Sequence, residues 1–192
     1  LKRMTGIFLC VAMAVGIFGT TPAFAEGEDV SETDIQAQAA QWPTGPAVQA
    51  ASAIIMDAST GTVLYEKDAD TPRYPASITK IMTTLLALEN CNLDEMVHFS
   101  ATAVYEIEGG TSHIARDLDE EMTLEQCLYA IMLESANECS YAVAEHVGGG
   151  DYQKFIDMMN AKAAELGCTN THFNNCNGLP DPNHVVSARD MA

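Results

Sequence analysis

Basic residues are scarce in this chain: 9 Lys and Arg stand against 27 Asp and Glu, a formal charge of −18 over 192 residues. No face can neutralise a run of phosphates, which excludes a nucleic-acid partner. Cys-x-x-Cys is absent, and the histidines at 98, 113, 146, 172 and 184 form neither His-x-x-x-His nor a carboxylate-paired spacing. On spacing, no metal and no cofactor are expected. The apolar stretch Gly6 to Gly19 is too short to span a bilayer comfortably. What is present is 47% hydrophobic residues, enough for one domain with a core and, at this length, too little for two.

Lys2 and Arg3, the apolar stretch, and then Ala23-Phe24-Ala25 follow the order of a secretory signal peptide with a small-x-small cleavage site. Residues 1–25 are therefore expected to be removed after Ala25, with an uncleaved anchor as the alternative, and the protein is expected to be exported. Leu9 before Cys10 argues against a lipoprotein. The remaining five cysteines, Cys91, Cys127, Cys139, Cys168 and Cys176, are an odd number and cannot close a disulfide framework. Buried or partly buried thiols are expected, and a single bridge stays open. Residues 26–46 carry five acids in their first nine positions and end on Pro43, Gly45 and Pro46, which predicts an acidic flexible tether. The folded domain is expected over 47–192.

Two strand-like runs around Ala58-Ser-Thr-Gly61 predict a β-hairpin over 51–67. Pro75 favours a helix start just after it, and Ile78, Ile81, Met82, Leu85, Leu86 and Leu88 recur with helical spacing up to Asn90. Ser77 falls in the first turn and Lys80 three residues later, so hydroxyl and amine share a face. A neutral amine there can take the hydroxyl proton, provided its surroundings lower its pKa. The helix N-terminus favours negative charge developing nearby. Alone, Ser-x-x-Lys is weak, expected by chance roughly 0.2 times in this composition.

Thr123-Leu-Glu-Gln126 predicts a capping box ahead of a helix with the stripe Leu124, Cys127, Leu128, Ile131 and Met132. That helix ends in Glu134-Ser135-Ala136-Asn137, and a helical pattern resumes over Tyr141 to Val147 before Gly148-Gly149-Gly150. A Ser-x-Asn between two apolar helices suits a cleft wall better than a core, because buried polar groups need partners. Glu134 reads as a solvated helix end and the triple glycine as a turn. A core-packing helix is expected from an Asp151 cap through Tyr152, Phe155, Ile156, Met159, Ala163 and Leu166 to Gly167. His184 is expected to pack a loop, and Ser187 with Asp190 caps a last helix.

Taken together and in this order, these segments resemble a low-molecular-mass penicillin-binding D-alanyl-D-alanine carboxypeptidase of the serine β-lactamase and penicillin-binding superfamily. The matching residues are Ala53-Ile-Ile-Met-Asp57 with Thr60-Gly61, Pro75-Ala-Ser-Ile-Thr-Lys80 with Met82-Thr83, and Leu133-Glu-Ser-Ala-Asn137. They continue through Met159-Asn160, Leu166-Gly167, Thr171-His-Phe-Asn174, Asn177-Gly-Leu179 and Ser187-Ala-Arg-Asp-Met-Ala192. The resemblance implies an α/β fold, an antiparallel sheet with helices packed around it. It implies Ser77 as nucleophile, Lys80 as its base, Ser135 as a proton relay to Lys80 and the departing amine, and Asn137 as a substrate-binding residue that orients Lys80. The Ser77 N–H would be one oxyanion donor.

It also implies stem peptides ending in D-Ala-D-Ala as substrates, β-lactam antibiotics as covalent inhibitors, and a place in the cell envelope. Family members carry a Lys-Thr-Gly on a strand edging the site. This sequence has none, and Ala192 falls inside a freshly capped helix. A C-terminally truncated chain is therefore expected, without the later strands or any C-terminal membrane anchor. A serine β-lactamase and an inactive fragment or wall-binding module are the rival readings.

Overall fold

A computed structural model describes residues 45–106 and 109–192, so the expected signal peptide and nearly all of the expected tether lie outside the described residues. Strands β1 (Ala53–Met56) and β2 (Val63–Lys67) pair antiparallel with Ala53 opposite Lys67 and Ile55 opposite Tyr65; the register slips by a bulge between Ile55 and Met56. The turn is organised by one carboxylate. Asp57 Oδ1 accepts from the backbone N–H groups of Ser59 and Thr60, both at 2.9 Å, and from their hydroxyls at 2.6 and 3.0 Å. These bonds to the ionised form hold the Asp57 carboxyl at about 2.

After the hairpin come a 3₁₀ turn (Ala76–Thr79) and helix α1 (Lys80–Asn90), then strand β3 (Met96–His98), a short helix α2 (Ala101–Tyr105) and strand β4 (Glu121–Thr123). β3 and β4 make a second two-stranded antiparallel sheet, with Val97 opposite Met122. Helices α3 (Leu124–Glu134), α4 (Asn137–Gly148), α5 (Tyr152–Glu165) and α6 (Ala188–Met191) complete the order. The fold is thus mixed α/β with antiparallel sheets, as the sequence implies. The α3 capping box forms in both directions: Gln126 N donates to Thr123 Oγ1 at 3.3 Å and Thr123 N to Gln126 Oε1 at 3.0 Å.

α4 is the central element. Ala142, Val143 and Ala144 are fully buried, and residues on it belong to both core clusters. On one side it meets Val97, Phe99, Leu124, Leu128 and Ile131; on the other, Leu86, Phe155, Ile156 and Met159. A helix enclosed all round must be built of small side chains or its neighbours could not approach. Its run of Ala, Ser and Cys does this. All five described cysteines are free thiols; Cys127, Cys139 and Cys176 are buried.

Three expected stripes are corrected. On α1 the residues turned inward are Lys80, Thr83, Leu86 and Ala87, while Ile81 and Leu88, and Ile78 in the turn before it, are about half exposed. Ile78, Ile81, Met82 and Leu85 line an open apolar groove of about 470 Å³ against Phe173 and Met191. The inner face of α1 is polar over its first turns because it binds a loop there, and Leu86 and Ala87 further along join the apolar core. On α3 and α5 the stripes stop one residue early, since Met132 and Leu166 face solvent.

The α3 assignment makes a direct prediction for adjacent positions. Ile131→Ala, at a fully enclosed site, is expected to cost about 2–5 kcal/mol, and Met132→Ala less than about 1 kcal/mol. Urea unfolding of the two variants at a common m-value measures the difference.

Candidate active site

The site begins with a strained residue. Ala76 follows Pro75 with φ +50°, a left-handed conformation that costs a non-glycine residue about 1–2 kcal/mol. Gly178, itself at φ +87°, lies so close that a β-carbon there would overlap the Ala76 carbonyl. This approach holds the strained turn in place.

From Ala76 the chain makes a 3₁₀ turn before the α-helix proper, so Ser77 precedes α1 instead of sitting in its first turn as expected. In a 3₁₀ turn the side chains at i and i+3 eclipse. Ser77 is therefore stacked over Lys80, and Lys80 Nζ lies 3.3 Å from Ser77 Oγ. Ser77 is exposed, whereas Lys80 retains only 2% of its accessibility. The hydroxyl is open to a substrate and the amine is shielded from water.

Ser135 and Asn137 arrive from the opposite side. α3 ends with Ser135 in the left-handed region (φ 56°, ψ 32°), which reverses the chain directly into α4. Ser135 Oγ donates to Ser77 Oγ at 2.9 Å. Asn137 is the first residue of α4 and is buried; its N–H donates to Ser112 O at 2.9 Å, and its Oδ1 accepts from Lys80 Nζ at 2.8 Å. Ser77 and Asn137 thus contact the Lys80 amine directly, and Ser135 joins the cluster through Ser77.

A third contact of the amine was not legible. Lys80 Nζ also donates to the backbone carbonyl of Asn177 at 2.8 Å. The loop carrying it is shaped by Asn175, whose Oδ1 accepts from the N–H groups of Asn177 (3.3 Å) and Gly178 (2.7 Å). It is tied to α1 by Thr83 Oγ1, donating to Cys176 O at 2.6 Å, and by His184 against Thr79 Oγ1 at 2.7 Å. His184 packs this loop, as expected. Its Nδ1 accepts from Asn174 N at 2.9 Å, so its proton is on Nε2 and the ring donates to Thr79. Burial pushes the His184 pKa down to about 4, keeping the ring neutral.

The electrostatics follow from this enclosure. Burial lowers the Lys80 pKa from 10.5 to about 8, opposed by the nearby Cys176 and by Glu138, a buried carboxylate that sequence reasoning missed. Glu138 Oε1 accepts from Ile114 N at 2.5 Å, which pins the loop beside Ser-x-Asn. A neutral amine has two protons and one lone pair. The two close acceptors, Asn137 Oδ1 and Asn177 O, take the protons, and the lone pair is left facing the Ser77 hydroxyl. That arrangement can deprotonate an exposed serine with no other base.

The family model for D-alanyl-D-alanine carboxypeptidase matches residues 36–192. The chain belongs to this family. It is 40% identical over 146 residues to the D-alanyl-D-alanine carboxypeptidase DacF of Bacillus subtilis, covering 75% of this chain and 37% of that protein. Among solved structures it is similar to the D-alanyl-D-alanine carboxypeptidase DacD of Francisella tularensis, at 32% identity and a TM-score of 0.73, covering 90% of this chain and 41% of that one. It is also similar to penicillin binding protein 5 of Haemophilus influenzae, at 31% identity and a TM-score of 0.72, with 79% and 45% covered. The chain therefore spans less than half the length of these three relatives.

Within this family member the Gly178 approach is testable against an ordinary left-handed glycine. Gly61 (φ +72°) has open space where a β-carbon would go. Gly61→Ala is expected to cost about 1–2 kcal/mol, from backbone strain alone. Gly178→Ala adds a clash with backbone and is expected to cost about 3 kcal/mol or more. Denaturant melts of the pair check the ordering.

Proposed function

We propose that this protein is a serine D-alanyl-D-alanine carboxypeptidase that removes the terminal D-alanine from peptidoglycan stem peptides. The observation that carries the reading is an exposed serine hydroxyl stacked on a buried lysine amine whose two other partners, Asn137 Oδ1 and Asn177 O, are both acceptors. Ser77 Oγ attacks the carbonyl carbon of the penultimate D-alanine while its proton passes to Lys80 Nζ. Ser135 Oγ, within reach of Ser77, relays that proton to the departing D-alanine amine as the peptide C–N bond breaks. Water then hydrolyses the Ser77 ester, returning the hydroxyl proton and releasing the shortened peptide. Asn137 orients Lys80 and presents its side-chain amide to the substrate backbone.

β-Lactam antibiotics, which offer a strained acyl group to the same serine, act as covalent inhibitors. Export to the cell envelope rests on residues 1–25 as a signal peptide. Among the described residues no helix is long and apolar enough to cross a membrane. Lys-Thr-Gly is absent from this sequence, so the contact to the substrate carboxylate is assigned to none of its residues.

Labelling by a fluorescent penicillin tests the roles in the full-length protein. Ser77→Ala is expected to abolish covalent labelling with the melting temperature unchanged within a few degrees; undiminished labelling excludes Ser77 as the nucleophile. Lys80→Arg is expected to slow acylation by roughly 10²-fold or more, because a guanidinium does not deprotonate near neutral pH.

The pH dependence has a definite sign. The active base is the neutral amine, so with Lys80 at about 8 the acylation rate climbs about tenfold per pH unit below that value and levels above it. Stopped-flow acylation between pH 6 and 10 reads the midpoint. A rate still climbing at pH 10 rules out the lowered pKa.

A further inference from the structure

α1 and α4 pack against each other, and both run from the Ser77 cluster to a second group of side chains about 16 Å away, at their far ends. There, Cys91 at the end of α1, Glu95 in the following turn and His146 in the last turn of α4 bring one thiol sulfur, one carboxylate oxygen and one imidazole nitrogen within 4.8 Å of one another. We propose that Cys91, Glu95 and His146 bind a Zn²⁺ that joins the C-terminal ends of α1 and α4, with a water as its fourth ligand. The site is independent of the proposed peptidase activity.

The donor set suits zinc. Thiolate, imidazole and carboxylate in a group of three, with room for a water, match the ligands of a four-coordinate Zn²⁺, and a soft sulfur disfavours Mg²⁺ and Ca²⁺. Bonds of about 2.0–2.3 Å place tetrahedral ligand atoms about 3.3–3.7 Å apart, so no pair here needs to move by more than about 1.5 Å. His146 Nε2 and Glu95 Oε2 are at 2.9 Å, sharing a hydrogen that the metal would replace. Cys91 Sγ lies within 4.8 Å of both of the other ligand atoms. On binding, the thiol proton leaves to solvent and the imidazole proton moves from Nε2 to Nδ1. Zn²⁺ with one thiolate and one carboxylate is then neutral, so no uncompensated charge is buried.

The ligands are held from behind. The other Glu95 oxygen, Oε1, accepts from Asn92 N at 2.6 Å and Asn92 Nδ2 at 3.0 Å, the outer support that metal-bound carboxylates require. Cys91 N donates to Ala87 O at 3.0 Å, and Glu95 O accepts from Leu124 N at 2.8 Å, so both backbones are fixed. His146 also borders a cavity of about 440 Å³ with His98, Ser100 and Glu145, a source of water for the fourth position. The ligands come from segments over fifty residues apart, which is why spacing along the chain gives no sign of them.

Tag-free, reduced and metal-stripped full chain is titrated with Zn²⁺ against a chromophoric chelator, with excess Mg²⁺ to occupy the acidic surface. One Zn²⁺ per chain is expected, weakened about 100-fold or more in Cys91→Ser and in His146→Asn. Zinc at a hundred times Kd is expected to raise the melting temperature by about 5–10 °C. Co²⁺ in place of Zn²⁺ needs no variant to be informative: the unmutated chain is expected to develop a thiolate-to-cobalt absorption with intense tetrahedral bands. Absence of that absorption, or Zn²⁺ affinity within threefold of the parent in both variants, overturns the proposal.

Discussion

The amine of Lys80 is the constraint around which the rest of this structure is arranged. A buried ammonium or amine left without acceptors costs several kcal/mol, so each of its contacts has to be supplied by some part of the chain. Ser77 Oγ comes from the turn before α1, Asn137 Oδ1 from the start of α4 and the Asn177 carbonyl from the loop between α5 and α6. Three segments distant in sequence are thereby fixed to one atom. The lowered pKa is the other side of the same enclosure, because removing water from around the amine penalises its charged form.

The demand propagates outward. To turn the Asn177 carbonyl inward, the loop must press Gly178 against Ala76, and that close approach both requires glycine and holds Ala76 in the left-handed region. Asn175 and His184 then satisfy the loop's own N–H groups, and Thr79 and Thr83 secure it to the helix. The inner face of α1 is consequently polar at its first turns, with apolar packing resuming only at Leu86 and Ala87. Rigidity for the whole arrangement comes from α4, enclosed on both sides by core, whose first residue is Asn137.

Local chemistry was legible in the sequence and tertiary chemistry was not. The caps at Thr123, Asp151 and Ser187 involve residues three apart and form as read. The meeting of Ser77, Lys80, Ser135 and Asn137 was anticipated because each pair lies within a few residues and the two pairs recur together in one family. The buried face of α1 was misjudged because periodicity marks apolar residues and assumes an apolar neighbour, while this helix binds a loop. Asn177 contributes a backbone carbonyl, which any residue type carries, so no residue pattern marks it. Glu138 carries no sequence reading, because the helical pattern is legible only from Tyr141; its burial depends on the segment at Ile114, which no local pattern connects to it. The β3–β4 sheet was missed because its strands are only three residues long and joined by a long connection.

The central claim is that enclosure makes Lys80 a base near neutral pH, and its ionisation can be observed directly. In the full-length protein carrying ¹³C-labelled lysine, the Lys80 side-chain resonance, assigned by its loss in Lys80→Arg, is followed by NMR as a function of pH. The account predicts a titration midpoint at about 8, well apart from the exposed lysines. A midpoint at the ordinary lysine value of about 10.4 contradicts it.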